Sequence, residues 1–278
     1  MKKILFPPNK KLGQNFLFDQ NFLRKIVASC PITPNTVIIE IGSGYGTLTN
    51  QLAKTSCRQI ISYEKDKKLF QWLVANNHQK EKITYLHADA LLINWSEIRT
   101  QHKDDLLVIG NLPYYIANSL IINLLFSYQS FNLGVFLIQK EVAQRWIAKP
   151  DKYPGEYSAL SVFLNYLTET SLIFGVPSQV FVPPSLVDGA LVIVKPHSNI
   201  NLTKEQLAAF WLFLKNCFRF RRKTLWNNLI GFIGNYHSQW DEYFLHHHYE
   251  KNLRPQNLSP AEYWSLFLFW SREKVKKT

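Results

Sequence analysis

Along residues 36–195, short apolar runs rich in β-branched residues alternate with longer amphipathic stretches. Thr36–Ile41, Gln59–Tyr63, Ile83–His87, Leu106–Ile109, Gly134–Ile138, Ser171–Val176 and Leu191–Lys195 have the length and composition of strands, and helical pattern fills most of the gaps. That alternation predicts a doubly wound α/β fold with a mostly parallel sheet, whose ligands bind outside the carboxyl ends of the strands. The last two runs are joined only by the proline-rich stretch Pro177–Gly189, which predicts an antiparallel hairpin closing the sheet. After Pro196-His197-Ser198-Asn199 the pattern changes. Thr203 with Gln206, and Ser259 with Pro260 and Glu262, have the spacing of helix starts, and helical periodicity follows each. The chain therefore divides into an α/β domain over residues 1–199 and a small all-helical domain over 200–278.

One run ends unusually. Leu106-Leu107-Val108-Ile109 is followed by Gly110-Asn111-Leu112-Pro113-Tyr114-Tyr115, an amide, a proline and two aromatics where ordinary turn residues would suffice. The strands before it also end in residues that carry chemistry. In Glu40-Ile41-Gly42-Ser43-Gly44-Tyr45-Gly46 the glycines let the backbone turn sharply and let a ligand lie against bare peptide groups at a helix N-terminus. The dinucleotide fingerprint sets its third glycine one position later, so a nicotinamide enzyme fits less well. Glu64, 22 positions after Gly42, can accept hydrogen bonds from both hydroxyls of a ribose, and Asp89 can accept one from an adenine amino group. Either acid alone reads as a surface charge or helix cap. Glycines, an acid and an acid on three successive strand ends predict an adenosine pocket.

The fourth strand end suits activation of an aromatic amine as a nucleophile. The exocyclic N6 of adenine is a poor nucleophile because its lone pair is delocalised into the ring. The side-chain oxygen of Asn111 and the carbonyl of Leu112 can accept its two N–H groups and favour a more pyramidal nitrogen. Pro113 holds that carbonyl in place, and Tyr114 offers a ring on which a base can stack. Without the upstream glycines and acids, the same residues read as a strand-ending turn with buried tyrosines.

Charge adds a partner. Of 278 residues 46% are apolar, enough for a packed core, and the net charge is +12. Residues 201–278 hold twelve Lys and Arg against six Asp and Glu, which points to a polyanion, and so to nucleic acid. Arg219, Arg222, Lys223 and Trp226 follow i, i+3, i+4, i+7 spacing with Arg221 beside them, a helical face able to track phosphates; a solvated basic helix is the plainer alternative. Cys30, Cys57 and Cys217 are far apart and odd in number, as expected of buried free thiols. His246-His247-His248 cannot share one helix face, and no metal site is expected. Pro7 and Pro8 interrupt the basic, signal-like start, and no later run approaches the ~18 apolar residues of a membrane span, so a cytoplasmic protein is expected, and separately a monomer.

Together the motifs resemble a family. Lys11-Leu12-Gly13-Gln14-Asn15-Phe16-Leu17, the glycine loop, Asn111-Leu112-Pro113-Tyr114, Phe181-Val182-Pro183-Pro184 with Val187-Asp188, and Arg221-Arg222-Lys223-Thr224-Leu225 with Asn227-Asn228-Leu229 are similar to those of the ribosomal RNA adenine N6-dimethyltransferases. Arg254-Pro255-Gln256-Asn257-Leu258-Ser259 resembles the closing motif of the KsgA type, which acts on small-subunit rRNA, rather than of the macrolide-resistance enzymes that act on large-subunit rRNA. The resemblance implies a Rossmann-like methyltransferase domain holding S-adenosylmethionine against Asn15, Leu17, Gly42, Glu64, Asp89 and Asn111. It also implies a target adenine stacked between Tyr114 and Phe181, with Arg219, Arg221, Arg222 and Lys223 on the RNA of a 30S-type precursor. Two positions depart from the family pattern: Gly189, where a serine commonly follows the aspartate, and Trp226, where a basic or polar residue is usual. A ribosome-assembly factor without catalysis would keep the basic domain but has no need of the glycines, Glu64 or Asn111. A DNA adenine methyltransferase would share the strand-end chemistry.

Overall fold

A computed structural model describes residues 5–9, 12–103, 105–113, 115–234 and 237–275. In chain order the elements are β1 (Phe16–Leu17), α1 (Gln20–Ala28), β2 (Thr36–Ile41), α2 (Thr47–Leu52), β3 (Gln59–Glu64), α3 (Lys67–Ala75), β4 (Ile83–His87), α4 (Trp95–Gln101), β5 (Asp105–Asn111), α5 (Ala117–Leu125), β6 (Leu133–Gln139) and α6 (Lys140–Trp146). They continue with α7 (Ala159–Leu167), β7 (Thr168–Val176), β8 (Phe181–Val182), β9 (Gly189–Pro196), α8 (Lys204–Cys217), α9 (Leu225–Ile233), α10 (His237–His246) and α11 (Pro260–Val275). They form two compact units. One takes the chain up to Ala143 together with Thr170–Pro196, and the other takes Gln144–Glu169 together with the chain from His197.

The first unit is built on a seven-stranded sheet of order β4-β3-β2-β5-β6-β9-β7. The pairs β2/β3, β3/β4, β2/β5 and β5/β6 are parallel, and β9 runs antiparallel to β6. Every residue of β2 is buried, as are the five central residues of β5, which is why these segments are runs of Val, Ile and Leu rather than alternating patterns. The chain enters the sheet at β2, steps outward to β4, and returns on the other side of β2 as β5. Between β2 and β5 the winding reverses, which opens a crevice at their carboxyl ends. All seven runs expected from the sequence are strands here, β2 and β4 with the expected bounds and the other five longer by one to three residues, and the expected hairpin partners β7 and β9 are neighbours. A second, two-stranded sheet was not legible: β1 pairs antiparallel with β8, Phe16 opposite Val182 and Leu17 opposite Phe181.

The second unit is helical, with an aromatic interior that includes Phe163, Phe210, Phe213 and Phe267, against which the half-buried Trp264 packs. The Phe210 and Phe267 rings lie 5.2 Å apart. Thr203 with Gln206, and Ser259 with Glu262, form the expected capping interactions of α8 and α11. Gln144–Glu169, counted on sequence with residues 1–199, groups instead with the C-terminal helices because α7 contributes Phe163 to their core; the other change of unit, at Pro196/His197, lies close to the expected boundary. Among the described residues no helix is long and apolar enough to cross a membrane, and Cys30, Cys57 and Cys217 are buried free thiols.

The basic helical face is not formed. Helix α8 ends at Cys217 and α9 begins at Leu225, so Arg219, Arg221, Arg222 and Lys223 occupy the connecting turn. Two side chains impose the break. Thr224 caps α9 by accepting from the Asn227 N–H, and the buried Asn228 amide accepts from the Phe220 N–H at 2.7 Å and donates to the Phe220 and Thr224 carbonyls. Arg219, Arg221, Arg222 and Lys223 are exposed around that staple, and Arg221 also donates to the Gly155 carbonyl. Trp226 points elsewhere, packing edge-on against Phe244 with the Lys251 ammonium 4.6 Å from its ring centre.

Candidate active site

The strand ends converge because the register aligns them. Ile41 of β2 lies opposite Tyr63 of β3 and Gly110 of β5, Glu64 lies opposite His87, and Asn111 opposite Leu137. The residues that follow each strand therefore meet at one edge of the sheet. Gly42, Gly44 and Gly46 all have φ between 56° and 77°, a backbone that side-chained residues adopt only with strain, so the loop from β2 to α2 requires glycine. A Cβ on Gly42 would meet nothing nearer than 3.9 Å and would project into open space at this edge; one on Gly44 would press the Phe16 ring at 3.0 Å.

Gly13, Gln14, Asn15, Phe16, Gly42, Gly44, Glu64, Asn111, Leu112, Pro113 and Phe181 line one cleft. An adjoining cleft shares Gln14, Gly42, Glu64 and Pro113 and adds Lys65, Ala88, Asp89, Tyr115 and Ile116. Leu17 lines a third, again with Gly42 and Asn111. Every residue expected to hold a cofactor thus belongs to one contiguous site in the first unit, together with Leu112 and Phe181. Tyr114 lies outside the described residues. The turn Arg219–Lys223 belongs to the second unit.

Glu64 is 6% exposed, and burial raises its carboxyl above the ordinary carboxylate range against the opposing pull of backbone N–H groups. Oε2 accepts from the Gly44 N–H and Oε1 from the Asp66 N–H, both at 2.8 Å. Each oxygen keeps a lone pair for a further donor, which is what a vicinal diol needs. Asp89 does cap a helical turn, accepting from the Leu91 N–H, and its other oxygen pairs with the Lys65 ammonium at 2.6 Å. Partial burial raises its pKa, but the Lys65 bond outweighs that, so the carboxyl lies below its ordinary value and stays charged.

Asn111 Nδ2 donates to the Asn15 carbonyl at 2.9 Å. Only an NH2 group can make that bond, so it fixes which way the amide points and leaves Oδ1 as an acceptor. The Leu112 peptide is held by its N–H donating to Leu137 O at 2.9 Å. Phe181 is packed with Leu17, Leu137 and Leu191 and still reaches the cleft. A Cβ on Gly189 would meet the Phe181 ring at 3.3 Å and Leu137 at 3.2 Å, so the glycine lets this ring close down on the strand end.

Beneath the glycine loop sits a buried polar cluster that the sequence reading missed. Glu40 Oε2 accepts from the Thr49 and Ser62 hydroxyls at 2.6 and 2.5 Å, and Ser62 is bonded to Ser43 of the loop at 2.6 Å. Oε1 has no partner among the described residues. Burial pushes this carboxyl up to about 7. Gln14 and Tyr115, which lie within stretches singled out in the sequence but were given no role there, are further lining residues, as is Lys65, for which the sequence offers no signal.

Comparison with known proteins gives the chain a family. The family model for the ribosomal RNA adenine dimethylases matches residues 6–271. The chain is 38% identical over 237 residues to the ribosomal RNA small subunit methyltransferase A of Enterococcus faecalis, covering 84% of this chain and 79% of that protein. It is 35% identical over 263 residues to the protein of the same name from Mesomycoplasma hyopneumoniae, covering 95% and 96%. Among solved structures it is similar to a dimethyladenosine transferase from Plasmodium falciparum, at a TM-score of 0.70 and 22% identity over 94% of this chain and 98% of that one. It is also similar to the 23S rRNA methyltransferase ErmE, at a TM-score of 0.67 and 21% identity over 92% and 100%. The two structures share the Rossmann-like methyltransferase fold with its C-terminal helices, and the family model and the relatives in sequence show that this chain belongs to the ribosomal RNA adenine dimethylase family of methyltransferases.

Proposed function

We propose that the protein transfers methyl groups from S-adenosylmethionine to N6 of two neighbouring adenosines in a hairpin loop near the 3′ end of small-subunit rRNA, taking each to N6,N6-dimethyladenosine. The observation that carries this reading is the Asn111 amide, fixed by the Asn15 carbonyl so that an acceptor oxygen lies beside the glycine loop and Glu64. The small-subunit relatives in sequence favour this substrate over large-subunit rRNA. The site fits the cofactor: the bare Gly42 backbone leaves room for it, Glu64 offers two lone pairs for the ribose hydroxyls, and Asp89 stands charged to accept from the adenine amino group.

When bound, S-adenosylmethionine supplies a methyl group on a sulfonium that is already a good leaving group. What the chain must add is alignment; the proton that the methylated nitrogen sheds at each transfer passes to water, and no strong base is required. Asn111 Oδ1 and the Leu112 carbonyl accept the two N–H groups of the target amine and draw its lone pair out of conjugation. At the second transfer the amine has one donor fewer, so stacking against Phe181, and against Tyr114 as its expected partner, carries more of the positioning. N6 is out of reach in a stacked or paired adenosine, so the base must swing out, which a loop permits at lower cost than a duplex. Arg219, Arg221, Arg222 and Lys223 bind the phosphates of the subunit. The protein acts as a cytoplasmic monomer on a 30S-type precursor.

Labelled methyl transfer to unmethylated small subunits, large subunits and duplex DNA, followed by mapping of the modified bases, tests the proposal. Two adjacent dimethyladenosines in small-subunit rRNA are expected. Label confined to large-subunit rRNA or to DNA overturns it.

A further inference from the structure

Asp66 joins three parts of the first unit. Its Oδ1 caps α3 by accepting from the Lys68 and Leu69 N–H groups, and its own N–H donates to Glu64 Oε1. Its remaining oxygen, Oδ2, accepts from Gln14 Nε2 at 3.1 Å. Gln14 Oε1 in turn accepts from the Asn9 N–H at 2.8 Å. The two ends of the Gln14 amide are thus both committed, one to the N-terminal arm, the stretch that leads into β1, and one to the turn that follows Glu64, in the single orientation that satisfies both. The residue after Gln14 is Asn15, whose carbonyl holds the Asn111 amide. Gln14 lines the cleft with Asn111, the adjoining cleft with Asp89, and the groove beside the arm with Phe6, Pro7 and Pro8.

We propose that Gln14 is a positioning residue that straps the N-terminal arm to Asp66 and so holds the Asn15 carbonyl where it fixes the orientation of the Asn111 amide. The inference rests on the function proposed above, in which Asn111 Oδ1 receives the target amine. An Asn side chain can exchange oxygen and nitrogen by a half-turn of its amide. Facing the Asn15 carbonyl, the turned amide sets oxygen against oxygen. The orientation is therefore enforced only while the arm is in place. The β1/β8 pairing and the Thr47 hydroxyl, donating to the Leu17 carbonyl at 2.8 Å, fasten the arm on the far side of Asn15. On the near side the Tyr45 hydroxyl accepts from the Phe6 N–H at 2.9 Å and donates to the Phe6 carbonyl at 3.0 Å, nine positions before Asn15, whereas Gln14 ties the chain to Asp66 at the position next to it.

The test exchanges donor and acceptor. Gln14→Glu sets a carboxylate against Asp66 and breaks the strap. Asp66→Asn breaks it from the other side while its amide oxygen still caps α3. When the two substitutions are combined, the introduced carboxylate accepts from the introduced side-chain NH2 and keeps an oxygen for the Asn9 N–H, so the strap re-forms with reversed polarity. Single-turnover methyl transfer with both substrates saturating should fall on the order of tenfold in each single variant and return to within about threefold of wild type in the double variant, since small misplacements of a reacting group cost rate steeply. Rescue separates a strap from a merely structural residue, whose loss would lower the melting temperature and leave the saturated rate unchanged. A readout independent of activity uses the ligand-free protein labelled with 15N. The Asn111 side-chain NH2 protons and the Asn15–Leu17 amides should exchange slowly in wild type, rapidly in each single variant, and slowly again in the double. Single variants with wild-type rate and exchange, or a double variant in which the two losses multiply, overturn the strap. A wild-type protein that methylates no small subunit but shows the expected exchange pattern overturns the proposed function and leaves the strap standing.

Discussion

Replacing Glu64 separates a structural acid from one that holds a ribose, because Ala and Gln make different demands on the same site. Each carboxylate oxygen already accepts one backbone N–H, from Gly44 and from Asp66. Ala removes both acceptors and the charge. Gln keeps one acceptor oxygen but turns an NH2 group toward the second N–H, so one of the two backbone donors, in a site where Glu64 itself is 6% exposed, faces another donor. Losing a hydrogen bond to a charged acceptor costs about 1.5–3 kcal/mol, a rise in Kd of about 10- to 150-fold. Leaving a buried donor unpaired costs about 1–3 kcal/mol, so Gln should be as damaging as Ala rather than a mild variant. Titration calorimetry with S-adenosylmethionine measures this directly, with the melting temperature reporting how much of the effect is on folding. If Glu64→Gln bound the cofactor as wild type does while Glu64→Ala did not, the two-acceptor geometry would be wrong. Unchanged affinity in both would make Glu64 a cap for its own loop and nothing more.

Four further outcomes are expected. Asn111→Ala should lower methyl transfer by orders of magnitude in single-turnover assays while cofactor affinity stays within about tenfold, or about 1.4 kcal/mol. Phe181→Ala should lose activity through positioning of the base, seen as a lower rate with saturating subunits at unaltered calorimetric affinity for the cofactor. Replacing Arg221, Arg222 and Lys223 together with Ala should weaken binding to the small subunit and flatten its dependence on salt, since three phosphate contacts release fewer counterions when lost; a salt slope equal to wild type would remove this turn from the RNA interface. Burial holds the Glu40 carboxyl at about 7 against an ordinary 4.5, so the neutral form is the one the fold favours: its stabilisation is complete below about pH 4.5 and is withdrawn as pH rises through 7, by at most about 3 kcal/mol. Urea unfolding at pH 5 and pH 8 should show wild type losing stability relative to Glu40→Gln by that order, and parallel pH profiles would refute it.

The sheet was legible because its strands are apolar runs, and the site because β2, β3, β4 and β5 each carry glycines, an acid or an amide at or just after the carboxyl end, which in-register parallel pairing brings to one edge whatever the intervening helices do. What the sequence hid depends on contacts made by the backbone. The basic turn follows helical spacing through Trp226, and the pattern alone favours a helix; the structure breaks it because the Asn228 amide bonds to both backbone groups of Phe220, an interaction at eight residues' separation to which periodicity is blind. The arm is hidden for the same reason. Phe16–Leu17 is too short to show alternation, and it becomes a strand only when Phe181–Val182 meets it across a separation of some 165 residues. Both hidden contacts serve the groups that were legible: one presents Arg221, Arg222 and Lys223, the other ends on the Asn111 amide. A strand end announces its chemistry through its residue type, whereas the orientation of that residue is set by a carbonyl that every amino acid carries. Residue type therefore marked Asn111, and only the folded chain shows that the Asn15 carbonyl fixes which way its amide points.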